Sequence, residues 1–250
     1  MKTLTVQRYS VHAGSLILVN AAHPLCAEPN PAGLVSVGGT DDIFLERRAA
    51  ALLEKLMGDL HGWRGIVPVS GWRSQTEQQK IWDGTLRASG AEFTQKYVAR
   101  PGYSEHQTGL AIDLGLRQEQ VDFIRPAFPD TGICGAFRRR AADYGFILRY
   151  PAGKEAITGI AWEPWHFRYV GVPHAQIMDA SGFVLEEYQT FIKQYRFGSR
   201  PLVYETGNLV FSLSYLPLTE TGALSAEPLG GIVSGNNADG FIVTQWKGRD

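Results

Sequence analysis

Two apolar segments that carry ionisable side chains constrain the fold of this chain more than any other feature. The first reads LAIDL at residues 110–114 and follows a polar turn that contains His106. The second reads WHFRYVG at residues 165–171 and follows Glu163, which stands among tryptophans. Both segments favour buried strands. A buried carboxylate or imidazole is unfavourable unless it is paired or binds a metal ion, so we expect the fold to bring the two segments together.

Hydrophobic periodicity and capping residues predict the helices around these strands. A first helix is expected over residues 43–60, capped by Asp41 or Asp42, with an apolar stripe along one side. Ser74 and Glu77 form a capping box that begins a second helix. Further helices are expected at residues 91–99, at 132–144 with Gly145 as the closing residue, from Pro173 onward, and at 185–195.

Short apolar runs predict the strands. Besides the segments at residues 110–114 and 165–171, these runs are residues 15–19, 66–69 and 146–150. Beyond residue 197 the sequence changes to β-like segments among Gly, Pro, Thr and Ser. We therefore predict an α+β fold with a main domain over residues 1–196 and a small β-rich appendage over residues 197–250.

The charge balance excludes some classes of partner. The chain has 250 residues and a formal net charge of −1, so no global field draws it to nucleic acid or to an anionic membrane. The apolar run at residues 15–19 is too short for a signal peptide or a membrane span. We expect a cytoplasmic protein without a membrane anchor.

The residues around the two segments suggest a zinc site. His106, Asp113 and His166 would supply three ligands, and a hydrolytic zinc site needs three protein ligands and one open position. Gly109 would let the chain bend between His106 and Asp113. Glu163 lies three residues before His166, and burial would raise its pKa toward that of a useful general base.

Each of these residues also has a plain structural explanation. An isolated histidine is more often structural than a ligand, and an aspartate after an apolar run is often a cap or a surface group. The alternative role for Glu163 is a salt bridge to an arginine such as Arg168. The shared setting of the four side chains favours the metal hypothesis over these separate explanations.

Two complete motifs resemble those of the D-Ala-D-Ala metallopeptidases. Residues 104–113 read SEHQTGLAID and fit the pattern SxHxxGxAxD, and residues 163–166 read EPWH and fit ExxH. The resemblance extends over about residues 15–195 to the VanY and VanXY branch, the D,D-carboxypeptidases and dipeptidases linked to glycopeptide resistance. It implies a mixed α+β fold with a central antiparallel sheet that holds one zinc ion.

The resemblance also implies roles for single residues at the metal. His106, Asp113 and His166 match the zinc ligands of the family, and Glu163 matches its catalytic base. The main domain over residues 1–196 would then be the catalytic domain.

Three further residues match positions that act on the substrate. Arg73 matches the arginine that polarises the scissile carbonyl or stabilises the oxyanion. Ser104 and Gln78 match positions that contact the terminal carboxylate or backbone of the substrate. The substrate implied by the family is a peptide that ends in D-Ala-D-Ala, either the free dipeptide or a peptidoglycan stem.

Three other functions compete with this one. An L,D-carboxypeptidase or a lytic endopeptidase would keep the zinc ion and change the substrate. A recognition module that binds zinc without catalysis would not need Glu163, so the presence of Glu163 argues against it.

Overall fold

The structure is a computed structural model that describes residues 2–5, 8–220, 223–226 and 230–249. Its chain forms two compact units, one of residues Val19–Val184 and one of Met1–Leu18 with Leu185–Asp250. The helices are α1 Arg47–Leu60, α2 Gln75–Tyr97, α3 Gly132–Arg140, α4 Glu155–Thr158, α5 His174–Ser181 and α6 Leu185–Ile192. The strands are β1 Lys2–Thr5, β2 Leu34–Ser36, β3 Phe44–Glu46, β4 Ile66–Ser70, β5 Ala111–Leu116, β6 Phe146–Tyr150, β7 Glu163–Tyr169, β8 Leu202–Thr206, β9 Leu209–Pro217, β10 Ala223–Ala226, β11 Gly230–Gly235 and β12 Gly240–Gly248.

The unit of residues Val19–Val184 is built on a four-stranded antiparallel sheet in the order β4-β5-β7-β6. Helix α1 packs Leu53 and Leu56 into a core that also contains Ile112 of β5 and Phe167 of β7. This core fixes the two central strands, β5 and β7, which include most of the apolar segments LAIDL and WHFRYVG. The predicted α+β fold with a central antiparallel sheet is confirmed.

The second unit contains a separate antiparallel sheet in the order β11-β12-β9-β8, and β1 pairs with β10. Its core includes Val11, Leu216, Phe241 and Val243. Residues 202–217 and 240–248 are therefore β-structure, as the sequence predicts. The proposed domains, residues 1–196 and 197–250, remain a prediction about folding units. Among the described residues, no helix is both long enough and apolar enough to cross a membrane.

Two of the predicted elements are wrong in detail. Residues 15–19 do not form a strand, because the backbone of Leu16 donates to the Ser234 side chain and that of Leu18 to the Asn236 carbonyl instead of to a sheet ladder. The first helix begins at Arg47, and its cap is Glu46, whose carboxylate accepts from two backbone N–H groups. Residues 44–46 pair with β2, which removes them from the helix.

The capping box at the start of α2 is confirmed. Ser74 accepts from the Glu77 backbone, and the Glu77 carboxylate accepts from the Ser74 backbone. Gly90 interrupts α2 with φ 79° and ψ 174°, so the two helices predicted at residues 74–89 and 91–99 share one helical segment with a break between them. Gly145 closes the turn after α3 in the left-handed conformation, as predicted.

Candidate metal centre

The two central strands place Asp113 and His166 directly opposite each other. They are paired residues in the register of β5 and β7, so their side chains lie on the same face of the sheet. His106 approaches from a short 3₁₀ turn, Glu105–Thr108, that precedes β5. Gly109 ends this turn at φ 71°, and a Cβ there would lie 2.9 Å from Leu34 Cδ2. The glycine therefore permits both the conformation and the close packing that aim His106 at β5.

The three side chains form a compact and buried cluster. One ligand atom from each lies within 4.8 Å of the others. His106 Nε2 is 3.1 Å from Asp113 Oδ2, and His166 Nδ1 is 2.9 Å from Asp113 Oδ1. The two imidazole rings stand nearly perpendicular, at 86° and with centroids 4.9 Å apart. The predicted trio is thus brought together by the fold.

This donor set fits a zinc ion. Two imidazoles and one carboxylate are donors that zinc takes in catalytic sites. His106 Nδ1 lies 2.7 Å from the Gly71 carbonyl oxygen, and a hydrogen bond donated there leaves the Nε2 lone pair directed at the cluster. His166 directs Nδ1 at the same point, beside Asp113.

The two histidines are both buried but differ in charge state, because their charged neighbours differ. Burial lowers the pKa of His106 to about 4, and the positive charge of Arg73 acts in the same direction. Burial also acts to lower the pKa of His166, but its contacts with Asp113 and Glu105 prevail and raise it to about 9. Burial acts to raise the pKa of Asp113, yet the two histidines hold it far below its ordinary value. Without a metal ion, the cluster therefore keeps a proton on His166 at neutral pH.

Glu163 stands at the edge of the same cluster. Its carboxylate is 3.8 Å from His166 Nδ1, and only 6% of the residue is exposed. Burial raises the pKa of Glu163 to about 8, even though His166 and Arg73 oppose this shift. Arg168, the alternative partner considered from the sequence, forms a salt bridge at 2.9 Å with Glu105. Glu163 thus has the basicity and the position that a general base needs.

Arg73 reaches the cluster from the segment between β4 and α2. Its three guanidinium nitrogens contact Ser70 Oγ at 2.7 Å, Gln78 Oε1 at 3.3 Å and Asp113 Oδ2 at 3.1 Å. Gln78 is buried and also donates from Nε2 to the Ala99 carbonyl at 2.8 Å. These contacts hold a permanent positive charge in a fixed position beside the metal ligands.

All the site residues predicted from the sequence line one cavity of about 40 Å³. Its lining includes Arg73, Gln78, Ser104, His106, Asp113, Glu163 and His166. A larger cavity of about 340 Å³ shares Val98, Ala99, Tyr150 and Ile160 with the first one and adds Trp82 and Arg100. The two cavities are therefore adjacent parts of one cleft.

A second layer of charged residues, which the motifs do not predict, lies behind the ligands. Glu105, next to His106, is fully buried and pairs with Arg149 of β6 and Arg168 of β7. Burial acts to raise the pKa of Glu105, but the two arginines hold it well below its ordinary value. The available signal was the pair of arginines in the apolar runs FILRY and WHFRY, since an arginine in a buried strand requires a carboxylate partner.

An α+β domain in which two central strands and the turn before β5 bring together a buried His-Asp-His set, beside a basic glutamate and a fixed arginine, defines a metallopeptidase. The VanY family, described as D-alanyl-D-alanine carboxypeptidase, matches residues 42–172. This chain belongs to that family.

Individual relatives agree with this assignment. The chain is 43% identical over 182 residues to the bifunctional D-Ala-D-Ala dipeptidase and carboxypeptidase VanXYC of Enterococcus gallinarum, covering 72% of this chain and 96% of the relative. The crystal structure of the D,D-dipeptidase VanXYg with a D-Ala-D-Ala phosphinate analogue matches with a TM-score of 0.93 and 45% identity, over 98% of this chain and 99% of that one. A VanY mutant solved with Zn(II) matches with a TM-score of 0.54 and 30% identity, over 70% of this chain and 98% of that one.

Proposed function

We propose that the protein is a zinc-dependent peptidase that hydrolyses the bond between two terminal D-alanine residues. His106, Asp113 and His166 would hold one zinc ion per chain. The observation that carries the proposal is the convergence of these three buried ligands with Glu163 and Arg73 in one cavity. The names of the similar proteins, a D-Ala-D-Ala dipeptidase and carboxypeptidase among them, support this substrate.

Glu163 would carry the proton during hydrolysis. A bound zinc ion supplies the Lewis acidity that activates water and polarises the scissile carbonyl. The Glu163 carboxylate accepts a proton from the attacking water and returns it to the nitrogen of the departing D-alanine. Its burial among Trp165 and the ligands keeps solvent from competing for that proton.

Arg73 would stabilise the negative charge that develops on the carbonyl oxygen. Its guanidinium is held by Ser70, Gln78 and Asp113, so it needs little reorganisation when the charge appears. Ser104 is buried in the same cavity and would donate its hydroxyl to the substrate carboxylate. The predicted contact of Gln78 with the substrate stays a prediction, and both ends of its amide already have protein partners.

The cleft has room for more than a dipeptide. The larger cavity of about 340 Å³ begins at Tyr150 and Ile160, which also line the catalytic cavity. Trp82 and Arg100 line it, with the guanidinium 6.0 Å from the ring centroid. We therefore include stem peptides ending in D-Ala-D-Ala among the substrates, with the rest of the stem in this larger cavity.

Incubation of the purified, zinc-loaded protein with three peptides tests the proposal. The peptides are D-Ala-D-Ala, a stem pentapeptide ending in D-Ala-D-Ala, and the tetrapeptide that lacks the last residue. Release of D-alanine from the first two, its loss with a chelator and its return with zinc are expected. The Glu163→Gln protein is the matched control. Cleavage of the tetrapeptide alone would instead identify an L,D-carboxypeptidase, and no cleavage of any peptide by the zinc-loaded protein would refute the proposed reaction.

Two cellular features remain predictions. The sequence leads us to expect the protein in the cytoplasm, and fractionation of the host cells tests this. Removal of terminal D-alanine would link it to glycopeptide resistance, in keeping with the resistance function named for VanXYg. A change in vancomycin susceptibility on expression of the wild-type protein, absent with Glu163→Gln, would be the expected result.

A further inference from the structure

Behind the metal ligands lies a charged cluster with fully buried side chains. Glu105 Oε1 is 2.8 Å from Arg149 Nε and 2.9 Å from Arg168 Nη1, and all three side chains have no exposed surface. Arg168 comes from β7, which also carries His166, and Arg149 comes from the neighbouring strand β6. Such a cluster fixes the position of the Glu105 carboxylate, because every displacement would separate buried charges.

The second oxygen of Glu105 points at a metal ligand. Glu105 Oε2 lies 3.7 Å from His166 Nε2. Both atoms are buried, and in the described part of the chain neither has a hydrogen-bond partner within normal distance. Buried polar atoms without partners are rare. These two atoms face each other, so a small rotation of the His166 ring toward the fixed carboxylate would satisfy both.

The position of Glu105 Oε2 beside His166 Nε2 affects which nitrogen of the imidazole carries the proton. A neutral histidine carries one proton, and a ring nitrogen that binds a metal ion must offer its lone pair. His166 presents Nδ1 to Asp113 and the cluster. When zinc is bound, Nδ1 gives its lone pair to the ion, so the single proton of the ring resides on Nε2. An ionised carboxylate accepts hydrogen bonds and donates none, so Glu105 stabilises this tautomer alone.

We propose that Glu105 is a positioning residue that holds His166 with its proton on Nε2, so that Nδ1 is available to the metal ion. The inference deepens the proposed function, on which it rests for the presence of zinc. It assigns Glu105 a role beyond neutralising Arg149 and Arg168. Metal-bound histidines generally have such a carboxylate or carbonyl partner, and its loss weakens metal affinity or activity by about 10- to 100-fold.

Glu105→Gln tests the inference because it nearly preserves the shape of the side chain. Arginines only donate, so the amide oxygen of the glutamine would turn toward Arg149 and Arg168. The amide NH₂ would then face His166 Nε2 and favour a proton on Nδ1. We expect zinc affinity, measured by competition with a chromogenic chelator, to fall by about 10- to 100-fold. Glu105→Asp, which keeps an acceptor, should restore part of that loss.

Leu53→Ala is the control for lost stability. Leu53 is fully buried in the helix α1 core and is not among the residues of the metal cavity. This variant should unfold at a lower temperature yet bind zinc like the wild type. Equal weakening of zinc binding in Leu53→Ala and Glu105→Gln would show a general structural effect and overturn the inference, as would wild-type affinity in Glu105→Gln.

The zinc-loaded wild-type protein gives a further test that needs no variant to fold. Long-range ¹H–¹⁵N correlation spectra should show His166 protonated at Nε2 and coordinated at Nδ1, whereas a proton on Nδ1 would overturn the inference even if both Glu105 variants fail to fold. These measurements do not depend on turnover. A protein that binds zinc as described but cleaves no peptide would refute the proposed reaction and leave the role of Glu105 standing.

Discussion

Zinc binding should release protons from the site, and the raised pKa values of His166 and Glu163 predict about how many. In the metal-free protein, the pKa of His166 is raised to about 9 and that of Glu163 to about 8. Both groups therefore hold a proton at pH 6.5. The pKa of His106 is lowered to about 4 and that of Asp113 lies below its ordinary value, so these two ligands hold none.

The number of protons released follows from these charge states. A zinc ligand must be deprotonated, so His166 loses its proton on binding. Glu163 loses its proton as well, because a divalent cation close by favours the ionised carboxylate. We expect the wild type to release about two protons at pH 6.5 and Glu163→Gln to release about one. Each proton weakens zinc affinity about tenfold for every unit that the pH falls below the pKa of its group.

Isothermal titration calorimetry measures this release directly. Zinc is titrated into the apoprotein at pH 6.5 in several buffers that differ in ionisation enthalpy, and the dependence of the heat on that enthalpy gives the number of protons. A wild-type value near zero would refute the assigned charge of His166. Equal values for the wild type and Glu163→Gln would refute the raised pKa of Glu163.

Four substitutions test the individual roles. Glu163→Gln should retain zinc and lose about 100- to 10,000-fold in kcat, and near wild-type turnover would remove Glu163 from the role of base. His106→Ala should abolish stoichiometric zinc binding in elemental analysis. Arg73→Ala should keep zinc while kcat falls by about 100- to 1,000-fold, as for a lost oxyanion donor. Trp82→Ala should increase KM for the stem pentapeptide by a much larger factor than KM for the dipeptide. Equal factors for the two substrates would exclude the larger cavity as the stem site.

Local signals in the sequence predicted much of the structure around the site. The capping box of Ser74 and Glu77 is formed by residues three apart, so it can be recognised without knowledge of the fold. The apolar runs of β5 and β7 were long enough to identify as strands, and their motifs indicated the ligands. The start of α1 was misjudged because residues 44–46 pair with β2, and that partner could not be recognised from the local pattern.

The charged layer behind the ligands was missed for a different reason. Glu105 is an ordinary polar residue in a turn when only the neighbouring sequence is considered. Its burial depends on Arg149 and Arg168. The nearer of these arginines, Arg149, is 44 residues away in the sequence, and both reach Glu105 only after β6 and β7 pair. Interactions of this kind follow from strand order and register, which a single sequence does not specify.

The direct pairing of Asp113 with His166 also determines where the chain can change in length during evolution. Side chains alternate between the faces of a sheet, so inserting or deleting one residue within β5 or β7 would turn a ligand to the opposite face. The connections at residues 117–131 and 151–162 lie outside these strands. Relatives are therefore expected to gain and lose residues in these two loops, and Phe123, Ile124 and Ile160 place both loops at the catalytic cavity. Loop length can thus reshape the substrates that a relative accepts while its metal ligands stay in register.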